Sequence, residues 1–213
     1  MPKITTGTRM RREQGAALLT ALVLMLAVLM TGVASTRSAL QNARAATHER
    51  DRVLAVQMAD AGLLDAERDL EGGNAPASAR ASAFSAGLAA AFAAGCGDDA
   101  PYDGLCAYDA DPSRHLTTLA DDDGPAVVFG TFTGSVMPTS SAGLPAEAPR
   151  YLIELMPPGG DGHLYRISAR GAGELPHSYA AIQGYYRKPI DGSPGRRIGW
   201  REIGNWSEQY ASR

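Results

Sequence analysis

Residues 16–34 read AALLTALVLMLAVLMTGVA, an uncharged run in which only Thr20 and Thr31 are polar. A bilayer core of about 30 Å takes about 20 residues of helix, so this run is just long enough to span one. Lys3, Arg9, Arg11 and Arg12 precede it against a single acid, Glu13. A basic head of this kind stays cytoplasmic, which places everything after Ser35 on the far side of the membrane. In a bacterium that side is the periplasm, where disulfides form and persist. Two alternatives share the hydropathy: a secretory peptide cleaved at Gly32-Val33-Ala34, and a plain signal anchor.

The residues after the run favour a retained helix. No proline occurs between Pro2 and Pro76, and residues 36–71 are dense in Ala, Arg, Glu, Asp, Leu and Gln, which mostly favour helix. Val56, Leu63 and Leu70 recur at sevens, with Ala59 and Ala66 between them, giving a narrow apolar stripe of helical period. Gly72-Gly73 and then Pro76 supply the stop. If continuous, residues 16–71 make a helix about 84 Å long at 1.5 Å per residue, with its stripe available to a sheet or to neighbouring helices.

The formal net charge of -3 conceals segregation: residues 72–149 hold two basic and nine acidic residues, and residues 150–213 hold nine basic and six acidic. A near-neutral total excludes a dedicated nucleic-acid binder, and no direct nucleic-acid binding is expected. Residues 75–95 contain 11 Ala with Phe84, Leu88 and Phe92 at fours, so a short helix with one apolar face is expected there. Residues 96–125 are turn-rich and acidic and read as a surface loop.

Cys96 and Cys106 are the only cysteines. In a periplasmic domain such a pair is most simply a disulfide, and closing so short a loop contributes roughly 3 kcal/mol. The metal alternative lacks two further suitable ligands nearby. Asp98, Asp99, Asp103, Asp109, Asp111 and Asp121-Asp122-Asp123 raise a calcium hypothesis, but neither run fits the spaced loop ending in a bidentate glutamate, so a solvated acidic loop is preferred.

From Ala126 onward strands are expected: Val127 to Phe132, Tyr151 to Met156, Leu164 to Arg170 closed by Gly171, and Ser178 to Tyr186. Short turns between them favour antiparallel pairing. The tail from Ile190 carries Arg196, Arg197, Trp200, Arg201 and Trp206; its tryptophans are expected to cover a sheet edge. The fold class is therefore α+β, a long helix packed on a C-terminal antiparallel sheet. His48, His115, His163 and His177 belong to no metal or nucleophile motif, and no glycine-rich phosphate loop occurs. Neither an enzyme nor a cofactor is expected.

Arg11-Arg12-Glu13-Gln14-Gly15 followed by Ala16-Ala17-Leu18-Leu19 resembles a type IV prepilin processing site. The stretch Val56-Gln57-Met58-Ala59-Asp60-Ala61-Gly62-Leu63-Leu64-Asp65-Ala66-Glu67 is similar to the helix of PilX-type minor pilins. Gly104-Leu105-Cys106, Pro149 to Glu154, Tyr165 to Gly171 and Gln183 to Arg187 also look like that family. The resemblance implies a type IV pilin-like fold. Its parts would be a leader over 1–15, a transmembrane helical part over 16–35 and a periplasmic part over 36–71. A variable acidic region with the disulfide loop would follow over 72–125, then the sheet and tail over 126–213. It implies cleavage by the prepilin peptidase between Gly15 and Ala16, and N-methylation of Ala16. Met10 offers a second start that shortens the leader.

As function, the resemblance implies a minor pilin that helps prime pilus assembly, in the inner membrane first and then at the cell surface. Its partners would be other minor pilins, the major pilin and a large PilY-type tip adhesin. One residue departs from the family. The fifth mature position is Thr20, where most pilins carry a glutamate that pairs with a neighbouring subunit's N-terminal ammonium. A tip subunit has no earlier subunit to neutralise, so Thr20 fits a tip position; the alternative is that Thr is tolerated here because its hydroxyl can bond back within the helix. Thr20 also fits the alternative of a GspK-type pseudopilin of a type II secretion system. A third alternative is a signal-anchored periplasmic binding protein.

Overall fold

The structure, a computed structural model, describes residues 10–97, 99–175 and 177–206, with side chains from Ala16 onward. Leader residues 1–9, Asp98 of the acidic region and tail residues 207–213 lie outside the described residues. The chain divides into two compact units, Met1–His48 and Glu49–Arg213.

Helix α1, Met10–Leu70, accounts for every described residue of the first unit and opens the second. Among the described residues it is the one helix long and apolar enough to cross a membrane. In the first unit its Leu18, Leu22, Met25, Leu29 and Val33 are all exposed, as expected of a surface whose natural neighbours are lipid or other apolar helices. In the second unit α1 ends at the paired glycines: Gly72 and Gly73 both take positive φ, and the Gly73 N–H donates to the Arg68 carbonyl at 2.9 Å. This closing bond satisfies a carbonyl that the helix end would otherwise orphan.

Helix α2, Ala79–Ala86, is capped by Ser78, whose hydroxyl accepts the Ala81 N–H at 3.1 Å, and stopped by left-handed Gly87. The stop falls before Leu88. Phe84 and Phe92 are buried and pack around Tyr165, whereas Leu88 is half exposed, so the expected three-residue apolar face is cut to two.

The sheet has six strands: β1 Leu105–Ala107, β2 Val127–Val128, β3 Arg150–Leu155, β4 Gly162–Ala172, β5 Tyr179–Pro189 and β6 Arg196–Ile203. The order is β1-β3-β4-β5-β6, and β2 shares the outer side of β3 with β1. The pairs β3–β4, β4–β5 and β5–β6 are antiparallel, as their short connections require. The β1–β3 pair is parallel, so the sheet is mixed rather than antiparallel throughout. Its first strand lies in the region read from sequence as an acidic loop. That region also holds helix α3, Ser113–Ala120. Conversely, the strand expected to reach Phe132 stops at Val128. The tail contributes β6 itself as well as a cover: Trp206 is buried, while Trp200 on β6 is exposed.

Two apolar clusters lie on opposite faces of the sheet, as the strand alternation dictates. One joins Ala59, Leu63, Ala66 and Leu70 of α1 to Tyr151, Ile153, Tyr165, Ile167, Ala169 and Ile182. The other gathers Leu116 and Leu119 of α3, Trp206 and the two cysteines over Leu152 and Ala181. Val56 is only partly buried. The fully buried line is Ala55, Ala59, Leu63, Ala66 and Leu70, which steps by fours and threes as a 3.6-residue period requires. A strict repeat of sevens from Leu70 drifts off that line by the time it reaches Val56.

Candidate functional site

Gly15 and Ala16 lie within the span of α1, and Ala16 is exposed. One turn further on, the Thr20 hydroxyl donates to the Ala17 carbonyl at 2.9 Å. Its polar group is satisfied inside the helix, which is what an apolar surround demands of a hydroxyl. No Asp or Glu occurs between Ala16 and His48. The exposed apolar helix therefore offers a neighbour packing area and no carboxylate.

Beyond Ala16 the first carboxylate is Glu49, and in the second unit the carboxylates fasten α1 to the rest of the fold. Asp51 accepts the N–H groups of Glu174 and Leu175 at 2.6 and 3.1 Å. Asp65 accepts the Gly130 N–H at 2.8 Å and the Thr133 hydroxyl. Glu67 and Asp60 hold Arg197 of β6, and Arg52 pairs with Glu202. Asp69 is buried against Arg80, which donates to it through Nε and Nη2 at 2.9 and 2.7 Å, and against the Tyr151 hydroxyl at 3.0 Å. In sequence these acidic residues of α1 register only as helix formers.

At the end of this row Glu71 accepts from Tyr186, Lys188 and the Gly195 N–H at 2.9, 3.0 and 3.1 Å. Partial burial raises its carboxyl, and the three donors more than offset that, so it sits below the usual carboxylate range. Its contribution to stability is therefore present above about pH 4.3 and lost as pH falls through its lowered value. Thermal melts of the detergent-solubilised chain should show the loss on acidification, and Glu71→Gln should flatten that limb of the profile. An unchanged limb would mean that Glu71 does not set it.

The acidic region is less free than it reads. Asp109 accepts the Asp111 N–H and pairs with Arg114, Asp111 caps Ser113, and Asp121 accepts the Asp123 N–H. Asp122 pairs with Arg170 of β4, which lowers its carboxyl. These side chains hold turns and tie the region to the sheet.

Cys96 and Cys106 are joined in a disulfide, and both are fully buried. Residue 93 forms a parallel bridge to Cys106, so the loop is anchored on β1 at its start as well. The metal alternative lacks two further suitable ligands near the pair in sequence; α3 delivers one, His115, to it. The His115 Nδ1 lies 3.4 Å from Cys96 Sγ, and the ring is buried. Its Nε2 lies 3.0 Å from the Ala107 carbonyl and 3.7 Å from Glu154 Oε1. Glu154 in turn takes Nε and Nη2 of Arg166 at 2.6 and 2.7 Å.

A lone apolar helix that exposes its first part and lays its second on a mixed sheet is the α+β layout of a membrane-anchored pilin. Residues 14–64 match the family model described as PilX N-terminal. That match supports a type IV pilus minor pilin of the PilX type. No curated protein and no solved structure matches the chain.

Proposed function

We propose that this minor pilin helps to start assembly of the pilus, at or near its tip and together with other minor pilins, as a structural subunit rather than an enzyme. The single observation that carries the reading is the absence of any carboxylate between Ala16 and His48. After cleavage behind Gly15 the chain offers its own ammonium to a following subunit. It has no counter-charge in this segment for the ammonium of a subunit ahead of it, and burying that group unpaired in an apolar surround is costly. A chain that gives but cannot receive this ion pair belongs at an end. The prepilin peptidase, the major pilin and a large PilY-type adhesin are the further partners this role calls for. The basic head points to a cytoplasmic N-terminus and a periplasmic second unit before assembly. The PilX match favours the pilus over a secretion pseudopilus.

Two measurements test the proposal. Mass spectrometry of the mature chain should find methylated Ala16 at the N-terminus; an intact leader or a start at Ser35 would remove the pilin role. Epitope-tagged protein in sheared filaments should appear at ends only, and its deletion should abolish surface pili while secretion stays normal. Even labelling along the shaft would refute the tip position.

A further inference from the structure

We propose that the dithiol form of the 96–106 loop is a binding site for one soft divalent cation of the zinc type, held by Cys96 Sγ, Cys106 Sγ and His115 Nδ1. The three ligand atoms lie within 4.8 Å of one another, the two sulfurs bonded to each other in the structure and parting on reduction, and all three residues are buried. A tetrahedral zinc with bonds of about 2.3 Å to sulfur and 2.0–2.1 Å to nitrogen holds those two atoms about 3.5 Å apart. Cys96 Sγ and His115 Nδ1 are already 3.4 Å apart.

The tautomer is set for the same task. A carbonyl only accepts, so the 3.0 Å bond to Ala107 requires the hydrogen on Nε2, and in the neutral ring Nδ1 then turns a lone pair toward the sulfur. A metal-bound imidazole characteristically donates its other N–H to a carbonyl or carboxylate in this way, and here Glu154 stands behind the carbonyl as a further acceptor. Charge also balances. Two thiolates and a divalent cation form a neutral unit, which a buried site tolerates far better than a lone ion. The fourth position is left for water.

Every chain is synthesised as the dithiol, so this state precedes the disulfide. It can be restored with a phosphine reductant in water: the phosphine gives two electrons that open the S–S bond, and one water supplies both thiol protons and the oxygen of the phosphine oxide. Cation binding then releases both thiol protons.

The test uses the full chain in detergent with cobalt(II) as the spectroscopic probe. The reduced chain should bind one equivalent, with thiolate-to-cobalt charge-transfer bands and the absorption of a tetrahedral centre; the oxidised chain should show neither. His115→Gln should weaken binding about tenfold or more, and Cys106→Ser should remove the charge-transfer signal of a bis-thiolate centre. No charge-transfer band in the reduced chain, or equal binding by His115→Gln, would overturn the proposal. If reduction unfolds the chain, return of its folded far-ultraviolet spectrum on adding metal counts for the site, and failure to return counts against it.

Discussion

Replacing Arg80 with alanine is expected to destabilise the Glu49–Arg213 unit by about 3–5 kcal/mol, the usual cost of breaking a buried ion pair from one side. The side chains of Arg80 and Asp69 are only 3% and 2% exposed. Besides Asp69, the guanidinium bonds the carbonyls of Pro101 and Asp103 at 2.7 and 2.8 Å and lies 3.8 Å over the Phe132 ring. One side chain thus ties α1 and α2 to the loops on both sides of β1 and β2. Its removal leaves two carbonyls without that donor and an Asp69 carboxylate with the Tyr151 hydroxyl as its remaining side-chain partner. Burial already pushes the Asp69 carboxyl above its ordinary value while Arg80 is present. Lysine should rescue little, because a point charge cannot reproduce the planar fork. Urea unfolding of the detergent-solubilised variants measures the effect. Arg52→Ala is the control: its pair with Glu202 is 58% and 36% exposed, so it should cost less than about 1 kcal/mol. Equal losses from the two variants would show that burial is not what makes the Arg80 pair matter.

The contrast between these two arginines also explains what was legible in the sequence. The long helix, its stop at Gly72-Gly73 and strands β3, β4 and β5 follow from local signals: absent proline, helix formers, alternation and turn residues. Strand β1 has three residues and no periodicity, and it exists because Leu105–Ala107 finds a parallel partner at Ile153–Leu155. Its existence depends on a partner some fifty residues away, which no local window reports. The shift of the buried line from Val56 to Ala55 has another cause. Where a helix lies very close to a sheet the contact positions must be small, and alanine carries a weak hydropathy signal. Of the site, the cysteine pair was readable directly. His115 was not, because nothing in the residues of α3 says that its helix lands on the disulfide.

That close approach yields the second large effect. Gly171→Ala is expected to cost about 3 kcal/mol or more, beyond the ordinary range for adding one carbon to a packed interior. A Cβ at Gly171 would stand 2.2 Å from Ala59 N, 2.4 Å from Ala55 O and 2.6 Å from Met58 C. All three are backbone atoms of α1, which no rotamer change can move aside. Sequence reading took Gly171 as the residue that closes its strand, but it lies inside β4, paired with Ala180. There it is the point over which the helix crosses. To admit the methyl group, α1 must rise from the sheet and loosen Leu63, Ala66 and Leu70 from Ile167 and Ile182, so the loss includes that contact area. Gly184 provides the comparison within the same interface. A Cβ there would meet Leu63 Cδ1 at 2.9 Å, the far end of a side chain that can turn. Gly184→Ala should therefore cost about 1 kcal/mol. Urea midpoints of the two variants decide the matter: a clear gap places the constraint in the α1 backbone, and equal midpoints would mean that the helix rises freely.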